Sequence, residues 1–251
     1  MPWITLLPFE AALFIFMTLI NADCLEAIKT IEDGSVGMIL CDLPYGVTAN
    51  KWDSIVPMDK LWPQLKRVCP SGRIVLFSSQ PFTTKLITSN ESEFKYCWYW
   101  IKNQATNFFH AKRMPLRKVE EICVFRDGPY NPVISTGNTP TRSARGASNG
   151  STYHGVNKRD YPGGSTDRYP TNVLDFKCVD NYSRLHSSEK PVELLEYLIK
   201  TYSNEGDLIL DCCMGSGSSG EACQNTNRDF IGIEKYEDTF NIAKKRLCKT
   251  Y

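Results

Sequence analysis

The stretch Val36-Gly37-Met38-Ile39-Leu40-Cys41-Asp42-Leu43-Pro44-Tyr45 decides how this chain is read. Its first six residues form an unbroken apolar run of the length and composition of a buried strand. Pro44 removes a backbone donor and restricts Leu43 to an extended conformation. The strand therefore ends in an acidic acceptor, a stiff turn and an aromatic ring. Such a set suits a planar base bearing an exocyclic amine. A carboxylate (Asp42) and a backbone carbonyl (Pro44) accept the amine hydrogens, and a ring (Tyr45) stacks on the base. A strand closed by a plain proline turn has the same pattern, so the remainder of the chain has to decide.

Before this junction, Thr18–Ile20 reads as a strand, Leu25–Ile31 as a short helix and Asp33-Gly34 as a turn. Strand–helix–strand order favours a parallel sheet. Asp23 then falls at the carboxyl end of the first strand, on the edge where open α/β sheets bind ligands. It equally suits the cap of the helix that follows. After the junction, a helix is expected over Leu61–Val68 with Pro63 near its start. Further strands are expected at Arg73–Phe77, Phe94–Ile101, Val119–Phe125, Val173–Phe176, Leu208–Leu210 and Phe230–Ile233. Helices are expected at Phe82–Thr88, Pro191–Tyr202, around Gly220–Cys223 and at Phe240–Leu247.

A chain of 251 residues with 42% hydrophobic and 23% charged residues has the composition of an ordinary globular protein. Its net charge of +1 means that any nucleic-acid surface must arise from local clustering. The 10 cysteines form no CxxC pair and the 3 histidines are scattered, so no metal site is expected. Reduced thiols place the protein in the cytoplasm. Residues 3–20 are strongly apolar, yet no Lys or Arg precedes Lys29, and Pro8 and Glu10 interrupt the run. A signal peptide or membrane anchor fits poorly. Residues 1–16 read as an extension ahead of a domain that starts at Met17.

Two segments concentrate positive charge. Lys102–Lys118 carries Lys102, Lys112, Arg113, Arg117 and Lys118 with no acid, interleaved with Phe108, Phe109 and His110, as in a loop facing DNA. From Gly128 to Asn172 apolar periodicity vanishes. Arg142, Arg145, Lys158, Arg159 and Arg168 there face only Asp160 and Asp167, and tyrosines 130, 153, 161 and 169 punctuate the stretch. A segment that orders on nucleic acid and a flexible linker both fit.

The second motif is Gly215-x-Gly217-x-x-Gly220, after the strand end Asp211 and ahead of a strand ending in Glu234. Its spacing matches a dinucleotide fingerprint. Asp211, however, is poorly placed for a pyrophosphate and well placed for a cationic or amine-bearing ligand. S-adenosylmethionine has a sulfonium, an α-amino group and ribose hydroxyls, and Glu234 can accept both hydroxyls. A glycine-rich structural turn is the plain alternative.

Taken together, these residues resemble the site-specific DNA amino-methyltransferases in the permuted order called the β group. Asp42-Leu43-Pro44-Tyr45 resembles their (D/N/S)PP(Y/F) motif, and Leu208–Gly220 their DPFxGSGTT donor loop. His186-Ser187-Ser188-Glu189-Lys190-Pro191 resembles HPTQKP, and Asn21–Leu25 resembles the GDxL opening. The resemblance implies a doubly wound, mostly parallel α/β sheet of the S-adenosylmethionine-dependent methyltransferase (Rossmann-like) type with a loop-rich insertion. A catalytic half over 17–127, a target-recognition insertion over 128–172 and a donor-binding half over 173–251 follow. It further implies adenine-N6 methylation of double-stranded DNA in a restriction-modification setting, and a homodimer is common among such enzymes. Asp211, Gly215 and Gly217 would line the methionine part of the donor, Glu234 its ribose, Asp23 would sit near its adenine, Ser188 and Lys190 near its carboxylate end, and Met214 would also contact the donor. Leu43 replaces the first proline of the motif, Cys212-Cys213 replaces Pro-Phe, and Ser187 and Glu189 alter the HPTQKP pattern. Cytosine-N4 methylation is the nearest rival, since both targets are exocyclic amines. A nicotinamide oxidoreductase would explain the glycines alone, and a non-catalytic DNA-binding module only the basic segments.

Overall fold

In the computed structural model, residues 15–46, 53–148, 157–161, 163–180, 182, 184–186 and 188–248 are described, with 144–148 and 157–161 as backbone alone. The elements in chain order are β1 (Met17–Asn21), α1 (Cys24–Ala27, continued by a 3-10 turn Ile28–Thr30), β2 (Met38–Cys41), α2 (Met58–Val68), β3 (Arg73–Ser78) and α3 (Phe82–Thr88). Then come β4 (Phe94–Thr106), β5 (Arg117–Phe125), β6 (Ala144–Ser148), β7 (Asn157–Tyr161), β8 (Val173–Leu174) and α4 (Val192–Tyr202). The chain closes with β9 (Leu208–Asp211), α5 (Ser218–Asn225), β10 (Asp229–Glu234) and α6 (Glu237–Leu247).

Eight strands form one sheet in the order β1-β10-β9-β2-β3-β5-β4-β8. The pairs from β1 to β3 are parallel. β5 runs antiparallel to both β3 and β4, while β8 adds to β4 in parallel. Both faces are covered, which is why β2 is an unbroken apolar run rather than an alternating one. Ile39, Cys41, Ile74, Leu76, Cys123 and Phe125 pack with α1, α2 and α3 on one face. Their chain neighbours Met38, Leu40, Val75, Phe77, Ile122 and Val124 pack with α4, α5 and α6 on the other.

Pro132–Thr171 forms a second unit, with an antiparallel pairing of β6 with β7 and a bridge between Ser135 and Arg168. Of the extension expected over 1–16, residues 1–14 lie outside the described residues. Phe16 already belongs to the ladder: its carbonyl accepts the Phe230 amide at 2.8 Å and its amide donates to Asp229 at 2.7 Å.

Several boundaries differ from expectation. α2 begins at Met58, so Pro63 sits inside the helix, where its missing N–H removes one intrahelical bond. Burial of Leu61, Trp62, Leu65 and Val68 holds that helix despite the proline. β4 continues to Thr106, because pairing with β5 persists to the Thr106–Arg117 pair. Lys102, Arg117 and Lys118 therefore lie on strands, and only 107–116 forms the connecting turn. Among the described residues no helix is long and apolar enough to cross a membrane.

Candidate active site

Strands β9 and β2 are hydrogen-bonded neighbours, with Met38 opposite Ile209 and Ile39 opposite Leu210. From β9 the chain continues through α5 to β10 on one side. From β2 it continues through α2 to β3 on the other. The connections diverge here, at a topological switch point, and a crevice opens beyond the carboxyl ends of the two strands. Asp211 ends β9 and Asp42 follows β2. A single cavity of about 240 Å³ is lined by Asp42, Pro44 and Tyr45 together with Asp211, Gly215 and Glu234. Two motifs far apart in the chain thus form one site.

On the β2 side the side chains form a closed polar network. The Tyr45 hydroxyl donates to Asp42 Oδ1 at 2.6 Å, with Glu120 Oε1 as a longer second acceptor at 3.2 Å. Lys190 Nζ lies 2.6 Å from Asp42 Oδ2 and 2.9 Å from Glu120 Oε1. Lys102 Nζ reaches Glu120 Oε2 at 3.2 Å. The Tyr45 ring stacks on Phe82, centroids 5.2 Å apart, and Lys190 lies 5.0 Å from the centre of the Phe77 ring. Burial pushes the Asp42 carboxyl up, opposed by the Lys190 ammonium and reinforced by the charge of Glu120. Burial acts on Glu120 in the same sense, but Lys190 and Lys102 outweigh it and hold that carboxyl below its ordinary value. Lys190 is held above its ordinary value by the two carboxylates despite its burial.

The β9 side is an acidic cradle of backbone turns. Asp211 accepts from Ser219 Oγ at 2.6 Å and from the Cys213 amide at 3.0 Å, and burial pushes its carboxyl up to about 6. Glu234 accepts the amides of Gly215 at 3.1 Å and Tyr236 at 2.8 Å, one on each oxygen. Each oxygen keeps lone-pair capacity for a ligand hydroxyl. Gly217 has φ +83° at the start of α5, a conformation that favours glycine. At Gly220 a Cβ would meet Leu247 Cδ1 at 2.6 Å, so the third glycine of the pattern permits α5 to lie against α6. Cys24, Cys41, Cys212, Cys213 and Met214 also line the cavity.

These residues suit a cationic, hydroxyl-bearing ligand better than a pyrophosphate, because the carboxylates of Asp211 and Glu234 hold the loop backbone, while Arg246, which reaches Ser216, is already paired with Glu189 and Glu221. At Gly215 a Cβ would meet nothing within 4 Å, so the loop backbone is open to close approach.

A profile of the family described as DNA methylase matches residues 36–245. The chain belongs to the DNA methylase family. Among its relatives, the type II methyltransferase M.HpaI of Haemophilus parainfluenzae is 26% identical over 91% of this chain and 73% of its own length. M.HindIII of Haemophilus influenzae is 24% identical over 90% of this chain and 94% of its own. Among solved structures, the M1.HpyAVI–SAM complex is 25% identical, covers 92% of this chain and all of its own, and has a TM-score of 0.61. The cytosine-N4-specific PvuII DNA methyltransferase shares the fold at 13% identity and TM-score 0.65, over 94% of this chain and 87% of its own. The mostly parallel α/β fold is thus that of the S-adenosylmethionine-dependent DNA methyltransferases.

Within this methylase fold the expected site residues distribute unevenly. Asp42, Pro44, Tyr45, Asp23, Ser188, Lys190, Asp211, Met214, Gly215 and Glu234 all line the cavity. Gly217 supports it from the start of α5. Asp23, at the cavity wall, caps α1 by accepting the Leu25 amide at 3.0 Å, and its other oxygen meets Lys235 at 3.1 Å. The ammonium of Lys190, expected near the carboxylate end of the donor, is paired with Asp42 and Glu120. Lys102 is likewise engaged with Glu120 and the Trp100 ring rather than presented to solvent. Lys112 and Arg113 are exposed in the β4–β5 turn, which also carries the exposed rings of Phe108 and Phe109, and Arg117 and Lys118 are exposed at the start of β5. Arg142 is exposed in the second unit. Ser187, Tyr153 and the side chains of Arg145, Lys158, Arg159 and Tyr161 lie outside the described residues.

Glu120 escaped the sequence reading. At a period of two it shares its strand face with Ile122 and Val124, both core residues, and it is only 7% exposed. A carboxylate in phase with a buried face must have partners, and that signal was present in the sequence.

Proposed function

We propose that the protein transfers a methyl group from S-adenosylmethionine to the exocyclic N6 of an adenine flipped out of double-stranded DNA. The observation that carries this reading is the single cavity shared by the Asp42–Tyr45 turn and the Asp211–Gly217 loop. When bound, S-adenosylmethionine supplies an electrophilic methyl group on a sulfonium. Asp211 and Glu234 are the acidic groups that would hold its cationic and hydroxyl-bearing parts, and the M1.HpyAVI relative was solved as a complex with SAM.

Asp42 and the Pro44 carbonyl accept hydrogen bonds from the target amine and direct the nitrogen lone pair out of the ring plane, towards the donor side. Asp42 already receives the Tyr45 hydroxyl and the Lys190 ammonium, which aim its carboxylate into the cavity. A carboxylate offers about four lone-pair directions, so capacity for the amine remains. Proximity and orientation supply much of the rate, and no cysteine is needed as a nucleophile. Extruding the base costs a few kcal/mol, repaid by stacking within the pocket. The exposed cations of the β4–β5 turn would meet phosphates, and the 132–171 unit would read base edges. An aspartate at the first motif position favours adenine over cytosine-N4 in enzymes of this kind.

Nucleoside mass spectrometry of unmethylated DNA incubated with the protein and S-adenosylmethionine tests this. N6-methyladenine is expected. N4-methylcytosine would overturn the base assignment and keep the mechanism; neither product, on DNA of varied sequence, would overturn the activity.

A further inference from the structure

The polar network beyond Asp42 is more elaborate than holding an amine requires. Methyl transfer from a sulfonium to an amine forms an N–C bond with the nitrogen lone pair and breaks the C–S bond, whose electron pair stays on sulfur. The amine then releases one proton. Two carboxylates, Asp42 and Glu120, flank Lys190 at 2.6 and 2.9 Å, and only Asp42 belongs to the motif turn.

β5 runs antiparallel to its neighbours, so its first half lies at the edge where β2 and β3 end; Glu121 stands opposite Ser78, the last residue of β3. Glu120 thereby reaches Lys190, which lines the cavity, from an element that carries none of the motifs. It is 7% exposed and held between Lys102 of β4 and Lys190.

We propose that Glu120 is a positioning residue: by anchoring the Lys190 ammonium opposite Asp42, it fixes the Asp42 carboxylate in place and leaves Asp42 as the acceptor of the proton that methyl transfer releases. The proposal rests on the methyltransferase reading. The groups facing Asp42 are Lys190 ahead of α4, Glu120 on β5, Tyr45 in its own turn and Asp211 at the end of β9. Lys102 faces Glu120 from the far side. The directions of titration agree, because burial with the nearby Glu120 charge pushes Asp42 up while two lysines hold Glu120 down.

The test compares single-turnover methylation rates across pH for wild type, Glu120→Gln and Glu120→Asp, with S-adenosylhomocysteine binding measured by calorimetry as the control for an intact fold. Asp42 must be ionised to accept a proton, so its titration sets the acid limb of the rate profile. Glu120→Gln keeps the shape and removes a like charge facing Asp42. The variant rate should fall roughly 10–100-fold, as for a misplaced catalytic group, and the acid limb should move to lower pH with S-adenosylhomocysteine affinity unchanged. Glu120→Asp keeps the charge but withdraws the carboxylate by one methylene, so it should be slower with the limb where wild type has it. A Gln variant as fast as wild type, or slowed equally at every pH with an unmoved limb, would overturn the proposal. If Glu120→Gln does not bind S-adenosylhomocysteine, Glu120→Asp decides, and wild-type speed in that variant overturns it. A wild type that methylates no DNA would overturn the underlying reading, a separate result.

Discussion

Replacing Asp211 with Asn separates what this carboxylate does for the fold from what it does for the ligand. In the folded protein its titration lies at about 6 rather than the ordinary 3.8, chiefly because it is buried. At 1.36 kcal/mol per pH unit this gap corresponds to roughly 3 kcal/mol of penalty on the ligand-free fold at neutral pH. The unfolded chain gives up the proton near its ordinary value and the folded chain only near 6. The folded state therefore binds more protons between these limits. Stability falls as pH rises through that window, and above it the penalty is constant. Asparagine is isosteric and uncharged. Its single amide oxygen can keep one of the two bonds from Ser219 and the Cys213 amide, losing another worth about 1 kcal/mol. The ligand-free variant should thus gain about 2 kcal/mol at pH 7.5, seen as a Tm increase of roughly 4–8 °C for a chain of this size. The gain should shrink as pH approaches 4. S-adenosylmethionine binding should weaken roughly 10–100-fold, because a hydrogen bond to a charged acceptor is lost. Scanning fluorimetry from pH 4.5 to 8, with calorimetric titration of the donor, reads both effects. A variant that melts lower than wild type at pH 7.5 would refute the reasoning, since ionised Asp211 would then stabilise the empty fold.

Three further outcomes are expected. Asp42→Ala should abolish methyl transfer while S-adenosylhomocysteine affinity stays near wild type, checked by radiolabel transfer and calorimetry; retained turnover would remove Asp42 from the mechanism. Burial pushes the Cys41 thiol well up, and the Cys24 thiol is raised by its hydrogen bond with Cys213 together with burial. At pH 7.5 a brief iodoacetamide pulse should therefore label exposed Cys248 and leave Cys24 and Cys41 unmodified by peptide mass spectrometry. Replacing both Lys112 and Arg113 with Ala should lower the slope of log affinity against log salt for DNA by about 2, with little change in sequence preference. An unchanged slope would remove the β4–β5 turn from the phosphate contacts.

Much of this molecule was legible from local chemistry. The run Val36–Cys41 announces a strand covered on both faces, and β2 is that strand. Pro44 marks the strand end, and the spacing of Gly215, Gly217 and Gly220 marks a strand–turn–helix with a left-handed residue and a close helix contact. Such features depend on neighbours within a few residues, so the order of residues alone determines them. The same holds for most helices, whose apolar spacing set their positions to within a few residues.

Only the tertiary structure decided which of these pieces meet. That Asp42 and Asp211 share a cavity follows from β2 and β9 being adjacent at the point where the connections diverge. The ion pair between Lys190 and Glu120 required β5 to be antiparallel, which brings Glu120 to the carboxyl edge of the sheet. Lys102 read as a phosphate contact because its neighbours in sequence are basic; its neighbours in space are Glu120 and Trp100. Charge neutralisation acts over a few ångströms of space regardless of separation along the chain. A buried ion pair is therefore written in the strand order of the sheet, and the linear pattern reveals only that a charge sits in phase with the core.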